Sequence, residues 1–103
     1  MNRIFEILFF LGLLFSSKVC AGDLIKGFDA YNRGDFSEAV SEWEELAESG
    51  EAIAQTNLAI MYQRGQGVEI DYGRAFSLLL EASKQGYSPA QTTLGHTYEK
   101  GYG

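Results

Sequence analysis

The same residues return along this chain at intervals of 36. Ala54 and Gln55 come back as Ala90 and Gln91, and Ala39, Gly50, Leu58, Tyr62, Gly65 and Gly67 come back as Ala75, Gly86, Leu94, Tyr98, Gly101 and Gly103. A period of this length is the signature of a supersecondary unit that stacks on copies of itself and buries its core between neighbours. The chain therefore reads as a row of short units, not as one closed globule.

Each unit reads as two antiparallel helices, A and B. In the second unit, Ile53, Ala54, Leu58, Ala59, Met61 and Tyr62 recur at helical spacing and predict helix A over about 52–64. Gly65 and Gly67 end it, since glycine readily adopts the left-handed backbone that closes a helix. Asp71 is placed as the N-cap of helix B, about 71–85, whose inner side carries Ala75, Phe76, Leu79, Leu80 and Ala82. The first unit has a helix A over about 23–33. Its helix B opens on a capping box from Asp35 to Glu38 and turns Ala39, Val40, Trp43, Leu46 and Ala47 inward. The third helix A opens on Ser88 as cap, Pro89 as first helical residue and Gln91 as the box partner, and runs to about Lys100. Small residues sit where helices cross: Gly27, Ala59 and Gly95 at one position of A, and Ala39 and Ala75 at one position of B.

The first 21 residues are of another kind. A polar start holding Arg3 precedes an apolar run from Ile7 to Phe15, and Val19 and Ala21 suit a signal peptidase cutting before Gly22. The apolar run is far shorter than the roughly 20 residues a membrane span needs. The expectation is an N-terminal signal peptide, 1–21, that touches a membrane only in transit, with retention as an anchor the competing reading. Cys20, the one cysteine, lies on this segment and lacks the flanks of a lipoprotein site, so a chain starting at Gly22 has no disulfide. Export to a bacterial periplasm or the medium follows. From Gly22 onward, 13 acidic side chains face six basic ones, a sign that disfavours nucleic acid as partner. Glu42, Glu44, Glu45 and Glu48 gather on the first helix B and read as a solvated face.

The stretch from Ala54 through Tyr62, Gly65, Gly67 and Asp71 to Ala75 resembles a Sel1-like repeat, and so do the runs from Ala82 to Gln91 and from Leu94 to Gly103. The first unit, with only Asn32, Arg33 and Gly34 between Tyr31 and Asp35, is more similar to a tetratricopeptide unit. The resemblance implies an all-α, right-handed α-α superhelix, a solenoid of stacked antiparallel helix pairs. It gives a repeat domain over 22–103 with units at about 22–50, 51–86 and a partial 87–103. The chain stops within the third inter-helix loop, which suggests a fragment of a longer repeat protein. By resemblance the function is a non-enzymatic adaptor that binds a protein or peptide; an envelope enzyme, a cell-wall binder or a functionless fragment are the alternatives. If the stack follows the tetratricopeptide superhelix, Leu24, Phe28, Tyr31, Thr56, Ile60, Gln63, Thr92, His96 and Glu99 line its concave groove. The bland alternative is that Leu24, Phe28 and Ile60 pack against a missing neighbour.

Catalytic chemistry has no visible carrier. His96, the lone histidine, has no cysteine or second histidine beside it, so no zinc site or other cofactor is expected. Gly65 and Gly67 follow a helix and not a strand, so they form a turn and not a dinucleotide fingerprint. Trp43 falls at core spacing.

Overall fold

A computed structural model describes residues 24–102, and every regular element among them is helical. The expected signal peptide and its cleavage site lie outside the described residues. Helix α1 covers 24–33, followed by α2 (Phe36–Glu48), α3 (Ala52–Arg64), α4 (Tyr72–Lys84) and α5 (Ser88–Lys100). The A helices α1, α3 and α5 form one layer and the B helices α2 and α4 the other. Helix α3, in the middle, packs against α2, α4 and α5.

Amphipathic periodicity becomes a core between the layers. Trp43, Leu46, Leu58, Met61 and Leu79 are fully buried, and Ala30, Ala39, Ala54, Ala59, Ala75, Ala82 and Ala90 fill the close crossings between them. Trp43 is a core residue as its spacing predicts. Its indole N–H donates to the Leu24 carbonyl at 3.5 Å, and its ring meets Phe28 edge-on at 5.2 Å. The crossing argument holds for Gly27, Ala59, Ala39 and Ala75 but not for Gly95. That residue is exposed and a side chain there would meet only open space, because no described helix packs on that side of α5.

Two capping expectations need correction. Asp35 precedes α2 but makes no side-chain cap; its carboxylate and that of Glu38 instead take the Arg33 guanidinium, at 3.4 and 2.8 Å. Charge pairing with a cation two and five residues away outcompetes the reciprocal amide bonds of a box. Helix α5 starts one residue earlier than expected, with Tyr87 at the cap position and Ser88 inside the helix. The Gln91 amide reaches back to the Ser83 carbonyl at 3.3 Å and so is not available to a box. Asp71, by contrast, caps α4 as expected, accepting from the Arg74 amide at 3.0 Å.

Two contacts tie one unit to the next. Gln55, with 1% of its surface exposed, donates to the Ala47 carbonyl at 3.2 Å and to Glu81 Oε2 at 2.9 Å, and accepts from the Gln85 amide at 3.0 Å. The bonds of Gln55 to Ala47 and Gln91 to Ser83 each reach eight residues back, from an A helix to the end of the preceding B helix. The second tie is the loop after α3. Gly65 closes that helix at φ 68, and Gly67, at φ 74, lies against the start of α2, where a Cβ would stand 2.6 Å from the Phe36 carbonyl carbon. Only glycine satisfies both the backbone angle and the contact. Gln66, between them, exchanges hydrogen bonds with the Tyr31 hydroxyl at 3.4–3.5 Å.

Candidate functional site

The A-helix layer carries two adjoining clefts. The smaller, about 180 Å³, lies between α1 and α3 and is walled by Phe28, Tyr31, Trp43, Asn57, Ile60 and Arg64. The larger, about 400 Å³, lies between α3 and α5 and is lined by Ile60, Gln63, Arg64, Thr93, His96, Thr97, Lys100 and Tyr102. Ile60 and Arg64 line both, so the two clefts adjoin at these residues and together make a trough that spans three helices.

Five of the nine groove residues expected from sequence meet here: Phe28, Tyr31, Ile60, Gln63 and His96. The other four do not. Thr56 is 3% exposed and its hydroxyl donates to the Ala52 carbonyl at 2.9 Å, because α3 has a helix on each side and hides a position that stays open on a terminal helix. Leu24 is half-buried against the core. Thr92 is exposed, its hydroxyl turned to the Ser88 carbonyl at 3.3 Å, and Glu99 points to His96, with Nδ1 to Oε2 at 3.5 Å; neither lines a cleft.

Sequence reasoning missed Asn57, Arg64, Thr93, Thr97, Lys100 and Tyr102. The signal was present: Asn57 and Thr93 stand 36 apart, and so do Arg64 and Lys100, which places two cations at the same step of successive A helices. Hydrogen bonds tie the residues at the floor of the larger cleft to one another. Gln63 donates to Thr97 Oγ1 at 2.7 Å, and the Thr97 hydroxyl donates to the Thr93 carbonyl at 2.9 Å.

On the opposite side of α3 lies a polar tie that the sequence reading took for solvated surface. Glu44 accepts from Arg74 Nη2 at 2.8 Å through one oxygen and from the Tyr62 hydroxyl at 3.0 Å through the other. Burial first, then the hydrogen bond to Glu44, pushes the Tyr62 hydroxyl above its ordinary 10.0. The hydrogen bond to Glu44 likewise raises Arg74. These groups link α2, α3 and α4 and lie outside the clefts, so they hold the stack together. Among the described residues no three of His, Cys, Asp and Glu gather into a metal-binding group, and no helix is long and apolar enough to cross a membrane.

Paired antiparallel helices stacked in two layers define an α-α solenoid module. The Sel1 repeat family matches residues 52–87, the α3–α4 hairpin with its glycine loop. The α3–α4 hairpin is thus a Sel1-like repeat, and the helical stack resembles a Sel1 repeat solenoid. It is 42% identical over 65 residues, 62% of its length, to an exopolysaccharide production negative regulator of Rhizobium leguminosarum bv. viciae, and covers 24% of that protein. It is also similar to the crystal structure of a Sel1 repeat protein from Oxalobacter formigenes, with a TM-score of 0.64 and 37% identity, over 66% of this chain and 20% of that one. The chain thus spans a quarter or less of either relative. Sel1 repeats generally serve as scaffolds for protein–protein interaction, without enzymatic activity.

Proposed function

We propose that this chain is an exported, non-enzymatic adaptor whose A-helix trough holds a segment of a partner protein. One observation carries the reading: Phe28, Tyr31, Ile60, Gln63 and His96, from three successive A helices, open onto one continuous trough. Phe28, 40% exposed, is held edge-on by Trp43, so it offers apolar area at little cost in side-chain entropy. The Rhizobium relative is named as a negative regulator, and a regulatory role exercised through a held partner is part of our reading of this chain. The leading 21 residues direct export, and the repeat domain begins at Gly22.

Capture of a partner by the intact chain, compared with Phe28→Ala, Tyr31→Ala and His96→Ala, tests the trough. The variants should lose capture when compared at a temperature where each is folded, and His96→Ala, whose ring is exposed, should do so with its melting profile unchanged; equal capture by all four proteins would remove the trough from consideration. Mass spectrometry of the exported product should show an N-terminus at Gly22, and an intact Met1 on exported material would refute cleavage.

A further inference from the structure

Charge in the trough runs against charge in the rest of the molecule. From Gly22 onward acidic side chains outnumber basic ones 13 to six, yet no carboxylate lines either cleft. Arg33 is engaged by Asp35 and Glu38, and Arg74 by Glu44. Arg64 and Lys100 form no ion pair among the described residues, and both line the larger cleft. The repeat sets them at equivalent positions of α3 and α5, so the pattern follows from the unit and not from a stray surface lysine.

We infer that the trough selects an acidic segment, seating a carboxylate between Arg64 and Lys100 and a bulky apolar side chain in the notch walled by Phe28, Tyr31 and Trp43. This rests on the adaptor reading above and adds the chemistry of the partner. Packed helices lie about 8–10 Å apart, and an extended chain advances about 3.3 Å per residue. Alternate side chains of an extended chain share a face, so the apolar and acidic side chains of the bound segment stand two residues apart, about 7 Å. Asn57, whose side-chain amide makes no hydrogen bond among the described residues, lies in the notch and offers a donor and an acceptor to the backbone between them. A segment with lysine in place of the acid meets two like charges and is rejected.

Arg64 and Lys100 also stand in the last turns of their helices, where a cation favours the helix dipole. Lys84 does the same in α4 but lies outside both clefts, so it separates the two roles. The test is fluorescence anisotropy of the full chain with labelled octapeptides on a Gly/Ser background. They carry Phe and Glu two residues apart in either order, so that both face the trough, with Glu→Gln, Glu→Lys and Phe→Ser counterparts. One Phe/Glu peptide should bind about fivefold or more tighter than its Gln counterpart at low salt, the Lys counterpart weakest, and the advantage should shrink as salt is added. The double variant Arg64→Gln/Lys100→Gln should erase the preference, and Lys84→Gln should leave it intact. Equal binding of the Glu, Gln and Lys peptides overturns the acidic selectivity while leaving the trough standing. A loss in Lys84→Gln equal to that in the double variant overturns it as well. So does failure of every peptide to bind, in which case the capture experiment alone decides the adaptor reading.

Discussion

Gly27 and Gly95 occupy the same position in two A helices and meet opposite surroundings. A Cβ on Gly27 would run into the Trp43 indole nitrogen, whereas one on Gly95 would meet nothing within 4 Å. Gly27→Ala must displace a buried ring and should cost about 1–3 kcal/mol in urea unfolding. Gly95→Ala only removes the entropy penalty of a mid-helix glycine, and should gain about 0.5–1 kcal/mol. Equal effects at the two sites would show that Trp43 does not sit on α1 as described. Ala75 is fully buried, and Ala75→Leu should destabilise through the same overpacking by about 1–3 kcal/mol, read as a lower melting temperature. Much of this was legible beforehand, because a small residue recurring at a helical register is a packing signal. The Gly95 contrast was not, since periodicity assigns equal neighbours to equivalent positions, and no described helix packs beyond α5.

Between elements, the Glu44 carboxylate is the joint that binds α2 to both helices of the next unit. Tyr62 holds its proton more tightly in the fold than in the unfolded chain, so its contribution is full below about pH 10 and is lost as pH rises through its raised value. Wild type should therefore lose more stability than Tyr62→Phe between pH 9 and 11, as read by chemical denaturation. Parallel decline of the two would exclude the tie. The loop after α3 is the second joint. Gly67→Ala brings both a strained backbone and a clash with Phe36, and should destabilise more than Gly27→Ala in the same urea series. Helix bounds were readable to within a residue or so for α3, α4 and α5, where apolar spacing and glycine stops agree. The caps of α2 and α5 were misread, because Arg33 and the Ser83 carbonyl, which claim the box side chains, compete from outside the local window. Glu44 looked solvated for the same reason: its partners lie 18 and 30 residues away.

Across the whole molecule, burial is uneven. Helix α3 buries six residues and α5 only Ala90 and Thr97. In a stack where each unit leans on its neighbours, local opening follows burial. Native-state hydrogen exchange should find the α3 amides slowest and those of α1 and α5 fastest; matching rates would mean that the described helices unfold as one block. The trough was half legible for a related reason. Register picked out the A-helix face, but which residues reach it depends on how far each helix is flanked, which hides Thr56 and frees Arg64. The glutamine bond that reaches eight residues back from each of α3 and α5 has a consequence for growth of the chain. It works as a ruler carried inside the unit. A complete 36-residue module spliced in after Gly86 brings its own mark and leaves the pitch unchanged. A single residue inserted between Ala47 and Gln55 puts the mark in the wrong place and shears the layers apart.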